Sequence, residues 1–322
     1  MAKIDTEFMV LVRKMNDNSP PDISGVVNLI KPRGFTSHDA VAVVRKLFGG
    51  VKAGHAGTLD PQAEGVLPVC LGKATKIADY IGGESKSYRG ELVLGKTTDT
   101  QDTTGAVLRE NDFTWDADAL GEAARSFEGR ISQTPPMYSA VKVNGQKLYK
   151  MARKGIEIER AARTVTVYGI GIVSVNPAEK TAVIDVNCSK GTYIRTLFAD
   201  IGDRLGCGGC MGALTRTRVG AYRIEDGVTV GQLREMAING GLDGAVTPIE
   251  RALPYPVAAA MPEAEKKLLN GNPVPAENCD LSGFDAETGR IFFLRAGERI
   301  IGLYEMCESA RGLELKPKVM LL

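Results

Sequence analysis

The stretch TAVIDVNCSKGTYIRTLFADIGDRL, residues 181–205, narrows most what this chain can fold into. TAVIDVNC reads as a strand, the Ser189-Lys190-Gly191-Thr192 segment as a turn, and the rest as a helix. The helix places its apolar residues at Ile194, Leu197, Phe198, Ile201 and Leu205, the spacing of a single buried stripe. A second strand is written in SYRGELVLG, where Tyr88, Gly90, Leu92 and Leu94 share one face. Nearer the N-terminus, a short apolar strand leads through Lys31-Pro32-Arg33-Gly34 into a helix with Ser37 as its expected N-cap. Val41, Val44 and Phe48 keep helical spacing there, and Gly49-Gly50 ends it. Ala74, Ile77, Ala78 and Ile81 predict another short helix, stopped by Gly82-Gly83. Strands and helices mix without a strict βαβ repeat, so the fold class is α+β.

With 322 residues and 43% hydrophobic content, the chain can bury one large core plus a small one, or two cores. Near residue 250 the pattern changes, and PYPVAAAMPEAEKKLLNGNPV opens a run of short strands with Gly and Pro turns. The expected organisation is a polar, mobile extension over residues 1–24, a main domain over 25–250 and a small β-rich domain over 251–322. The six cysteines are scattered and no secretory leader is evident, which predicts reduced thiols and a cytoplasmic protein. Cys207-Gly-Gly-Cys210 has the spacing of half a zinc or redox site. A structural zinc needs about four ligands, and the two histidines, His38 and His55, form no matching pair; no metal is expected. No apolar run reaches the ~20 residues of a membrane span.

Asp60 is a lone carboxylate in GHAGTLDPQAEGVLPVCLGKATK, between small and apolar residues and Pro61. It reads either as a turn aspartate satisfying local N–H groups or as a carboxylate held rigidly for nucleophilic or basic work. Arg195, in the first turn of its helix, reads as a surface arginine or as an anion clamp. Tyr88, flanked by Lys86 and Arg89, reads as a half-buried strand aromatic or as a stacking platform for a base. The net charge of +1 argues mildly against nucleic acid as a partner. Its distribution argues the other way: residues 142–163 hold seven basic and two acidic side chains, interleaved with Leu148, Tyr149 and Met151. They follow QTPPMYSA, a proline-broken segment, and together form a credible RNA-gripping arm.

Five strings in order carry a resemblance that composition alone does not: GVVNLIKPRGFTSHDAV, GHAGTLDPQAEGVLPVCLGKATK, KSYRGELVLGKTTDTQDTTG, QTPPMYSAVKVNGQKLYKMARKGIE and CSKGTYIRTLFADIG. With GALTRTRVGAYRIED and a terminal LKPKVML they make the chain resemble the TruB-type tRNA pseudouridine synthases over roughly residues 25–322. The resemblance implies a pseudouridine synthase fold, a central mixed or antiparallel sheet flanked by helices, an inserted arm at about 130–163, and a C-terminal PUA-like RNA-binding module. It makes Asp60 the catalytic aspartate, Tyr88 the tyrosine that packs on the uracil and helps remove the C5 proton, and Arg195 the partner of the catalytic carboxylate. His55, Tyr193 and Leu214 become substrate-binding residues, and Lys147, Lys150 and Arg153 belong to the arm.

The implied reaction is isomerisation of the T-loop uridine, position 55 of tRNA. It involves neither redox change nor hydrolysis, so no cofactor is called for. The implied partner is the T-arm of tRNA, with no guide RNA, protein partner or membrane, and a monomeric enzyme. Three rivals stand beside it. A guide-RNA-dependent synthase lacks the arm that QTPPMYSAVKVNGQKLYKMARKGIE matches; a tRNA-folding helper needs no intact catalytic positions; a hydrolase needs a second acid or metal ligands.

Overall fold

The computed structural model describes residues 22–139, 141–143, 145–152, 154–285, 287–310 and 312–322. The chain divides into two compact units. Among the described residues, one comprises 22–60, Leu67–Gly82 and Ala221–Leu322; the other comprises Pro61–Val66 and Gly83–Gly220.

In the first unit the strand Gly25–Lys31 pairs in parallel with Val228–Thr229 and antiparallel with Val246–Pro248. Val26, Val27 and Leu29 are fully buried, as expected of an apolar run with cover on both faces. Gly34 takes φ +88 in the turn that follows. The helix Ser37–Leu47 is capped by Thr36, one residue before the expected position. The Thr36 hydroxyl accepts from the Asp39 amide, and the Asp39 carboxylate accepts from the Thr36 amide. This reciprocal box satisfies two N–H groups at once, and it leaves Ser37 available for another task. The chain then forms the short strand Ala53–His55, antiparallel to residues 69–71. The expected helix near residue 78 begins as a 3-10 turn over Gly72–Ile77 and continues as the helix Ala78–Gly83.

The same unit carries a six-stranded sheet built from the C-terminal residues. Its long strands are Ile291–Ala296, Arg299–Ser309 and Gly312–Met320, with Val257–Ala260 parallel to the first. Leu268 of the helix Pro262–Leu269 joins Phe292, Leu294, Ile301, Tyr304 and Leu315 in a closed core. Burial pushes the Tyr304 phenol up to about 12. Lys76 donates to the carbonyls of Met320 and Leu322 at 2.9 and 3.1 Å, fastening the last strand to the 72–77 turn.

The second unit is built on a mixed sheet. Residues 64–65 run parallel to Gly209–Val219, which pairs antiparallel with Lys86–Leu94. Beyond it lie Thr181–Cys188, Arg163–Asn176 and Gly129–Gln133, all antiparallel. Along Lys86–Leu94 the alternate residues Lys86, Tyr88, Gly90, Leu92 and Leu94 are buried, the single-face pattern expected from sequence. The helix Ile194–Arg204 packs on this sheet through Phe198, and Gly90 makes the approach possible. A Cβ at Gly90 would lie 2.8 Å from the Phe198 ring and 3.1 Å from Leu214. At Gly65, with φ +105, the Arg216 backbone occupies the place of a side chain.

Candidate functional site

In the first unit Asp60 follows a turn whose geometry is set by its neighbours. Gly57 takes φ +91, and the Ala56 amide donates to the Pro68 carbonyl at 2.9 Å. The Ser37 hydroxyl donates to the Leu59 carbonyl at 3.0 Å and accepts from the Leu59 amide at 2.9 Å. The residue before Asp60 is thereby fixed to the start of the helix Ser37–Leu47. Asp60 itself is half-buried. His55, at the end of its strand, meets His38 edge to face, with ring centroids 5.6 Å apart and planes at 78°.

In the second unit Tyr88 is 8% exposed and sits in register between Val186 and Arg216. Arg216 is fully buried and donates its Nε to the Val66 carbonyl at 2.7 Å. Lys86 shares the buried face of the strand with Tyr88. Burial first, and then the nearby Arg216 cation, pull its ammonium down to about 8. Leu214 is buried against the Gly90–Phe198 contact.

Arg195 is 5% exposed; the surface alternative for it is excluded. Its Nη1 donates to the Thr100 carbonyl at 3.2 Å and lies 3.6 Å from Asp102 Oδ2, while Nη2 donates to the Tyr138 carbonyl at 2.8 Å. Asp102 is held in turn: its Oδ1 accepts from the Thr100 hydroxyl at 2.8 Å, the Thr104 amide at 3.0 Å and the Thr104 hydroxyl at 2.5 Å. Tyr193 precedes the helix, and both its backbone groups meet the buried side chain of Gln133. Its amide donates to Oε1 at 2.8 Å, and its carbonyl accepts from Nε2 at 3.1 Å.

Sequence reasoning missed Ser37 as a tether, Asp102 as an ion-pair partner of Arg195, and Gln133. Asp102 had a readable signal, because an aspartate commonly bonds the backbone N–H two residues on in an Asx-type turn, as it does here to Thr104. In the arm, Lys142–Val143 and Gln146–Lys147 pair antiparallel and lead into the helix Leu148–Ala152. Leu148 is fully buried and Lys150 is exposed. Arg153 and the side chain of Lys147 lie outside the described residues, as do residues 1–21 of the polar extension. Burial pushes the Cys210 thiol up to about 11 and raises that of Cys207, so both stay protonated at neutral pH. Among the described residues, no helix is long and apolar enough to cross a membrane.

Residues 45–194 match the TruB family pseudouridylate synthase N-terminal domain, and residues 195–254 match the tRNA pseudouridylate synthase B C-terminal domain. The tRNA pseudouridine synthase B of Alkaliphilus oremlandii is 46% identical over 251 residues, covering 78% of this chain and 82% of that protein. That of Clostridium acetobutylicum is 42% identical over 288 residues, covering 89% and 97%. Among solved structures, one of a Cbf5-Nop10-Gar1 complex aligns with a TM-score of 0.71 at 27% identity, over 92% of this chain and 85% of that one. An H/ACA RNP bound to a substrate RNA containing 2'-deoxyuridine shares the fold, with a TM-score of 0.69 at 24% identity over 95% and 92%. Fold and sequence together define the class as pseudouridine synthase. The chain belongs to the TruB family, whose members make pseudouridine in tRNA.

Proposed function

We propose that the protein isomerises the T-loop uridine of tRNA, position 55, to pseudouridine, and that Asp60 is the carboxylate on which the reaction depends. One observation carries this reading: in a family member, Asp60 follows a residue whose amide and carbonyl are both held by Ser37. A carboxylate on so fixed a turn enters the reaction with little reorganisation.

The target nucleotide leaves the stack of the folded loop at a cost of a few kcal/mol, offset by attraction between basic side chains and phosphates. Asp60 acts at C1′, C6 or C2′, each of which requires its ionised form. Tyr88 packs on the uracil and helps remove the proton lost from C5 once the base has turned and rejoined, while N1 of the ring gains a proton, so the isomerisation is balanced. Arg195 is the site's cation and favours the ionised carboxylate. His55, Tyr193 and Leu214 contact the extruded nucleotide and its neighbours. Lys147, Lys150 and Arg153, in the arm at 130–163, grip the T-loop. The catalytic domain spans residues 25–250, and the C-terminal sheet serves as a PUA-like RNA-binding module over 251–322.

We assign the activity to the protein alone, as a monomer without guide RNA or protein partner, because the arm supplies a basic clamp of its own. The test is incubation of unmodified tRNA with pure protein, with T-loop uridine and pseudouridine as readout and Asp60→Asn in parallel. Conversion by the wild type alone is expected. Full conversion by the variant, or conversion only with a guide RNA added, overturns the reading.

A further inference from the structure

A groove of about 480 Å³ runs along the helix Ser37–Leu47, lined by His38, Ala42, Arg45, Lys46, Gly50 and Ala53. It contains two permanent cations, one titratable imidazole and no carboxylate. The nearest acid on the helix, Asp39, is occupied in the Thr36 capping box. Basic residues in a last helical turn often do no more than complement the helix dipole. Arg45 does part of that work, donating its Nε to the Gly50 carbonyl at 3.3 Å. Its two terminal guanidinium nitrogens make no further hydrogen bond among the described residues, and neither do the ring nitrogens of His38. Arg45 and His38 are both exposed.

The groove has a direction. Its His38 end meets the His55 ring, at 5.6 Å, and its Arg45–Lys46 end lies two helical turns away, about 12 Å at 1.5 Å per residue. The two ends of the groove can therefore engage separate backbone phosphates of one RNA strand. We infer that this groove is a second RNA-backbone site, which takes the phosphates of the strand flanking the nucleotide that His55 contacts. The inference rests on the proposed tRNA substrate. It adds a footprint outside the arm and outside the C-terminal sheet.

The test uses full-length protein and unmodified tRNA, with affinity measured between about 50 and 200 mM monovalent salt. Arg45→Gln/Lys46→Gln is expected to raise Kd about tenfold at the lowest salt and to flatten the salt slope by about 1 to 2, near 0.9 for each phosphate no longer neutralised. Ala42→Glu, which leaves both cations in place and puts a negative charge on the groove wall, is expected to raise Kd at least about threefold. Circular-dichroism melts establish that both variants are folded. Wild-type affinity and slope in both folded variants would overturn the second site. Failure of the wild type to convert tRNA strikes the proposed function instead, so the two outcomes are separable.

Discussion

Ser37 holds both polar backbone groups of Leu59 with a single hydroxyl, at 3.0 Å to the carbonyl and 2.9 Å from the amide. The two residues are 22 positions apart, and Ser37 is only 2% exposed. With Thr36 serving as the N-cap, the Ser37 side chain turns inward to the turn that ends at Asp60. Replacing Ser37 with Ala leaves two buried backbone groups unsatisfied, at ~1–3 kcal/mol for each and so about 2–6 kcal/mol together. We expect Ser37→Ala to lower stability by that amount in denaturant titration. Pseudouridine formation should fall at least about tenfold, because Leu59 precedes the proposed catalytic carboxylate. Ser37→Thr keeps the hydroxyl and should recover part of both. Wild-type turnover in Ser37→Ala would show that the tether does not set the position of Asp60.

Asp102 and Arg195 form the other fixed relationship, a largely buried ion pair in which Asp102 is bonded by Thr100 and Thr104. Breaking such a pair from one side strands a charge and typically costs about 3–5 kcal/mol. Asp102→Asn keeps the shape and some of the hydrogen bonds, so about half that loss is expected. The effect on the reaction should appear in kcat rather than in tRNA affinity, since phosphate contacts carry most of the binding. Single-turnover rates and tRNA Kd measured on the same preparation separate the two. A drop in affinity with unchanged kcat would contradict the assignment of Arg195 as the site's cation.

The sequence made the strand at 86–94 and the helix after Tyr193 legible because each has one buried face and a clean period. Asp60 stood out as a chemical oddity, and the family strings gave it its proposed role. What stayed hidden depends on long-range hydrogen bonding. Ser37 looks like a cap because serine at a helix start commonly is one; the Thr36–Asp39 spacing of a capping box gives that place to Thr36, but nothing local reveals that Ser37 then bonds to Leu59. Gln133 and Tyr193 are 60 positions apart, and no periodicity links them. Arg195 remained ambiguous for a related reason: its ion-pair partner Asp102 comes from a loop that sequence patterns do not bring to it.

Gly90 gives a packing prediction. A methyl group there would lie within 3 Å of the Phe198 ring, and overpacking of this kind typically costs about 1–3 kcal/mol. Gly90→Ala should lose that stability in denaturant titration. Combining it with Phe198→Leu should cost less than the sum of the two single changes by more than ~0.5 kcal/mol, the coupling expected of residues that touch. Additive losses would mean that the ring does not rest on Gly90.

Asp200 predicts a pH dependence of opposite sign to that of a salt-bridged carboxylate. Burial, reinforced by the neighbouring Asp203, raises its carboxyl from 3.8 to about 6. Between those values the native state binds more protons than the unfolded chain, so the group lowers stability as pH rises through that window. The penalty is absent below pH 3.8 and complete above about 6. Asp200→Asn removes it and should gain on the order of 1 kcal/mol at pH 7, after allowance for partial solvent screening, and only a small fraction of that at pH 4. Unfolding titrations of both proteins at pH 4, 5, 6 and 7 read the difference directly. A gain of equal size at every pH would assign the effect to packing, and a loss at pH 7 would show that the ionised carboxylate stabilises the fold.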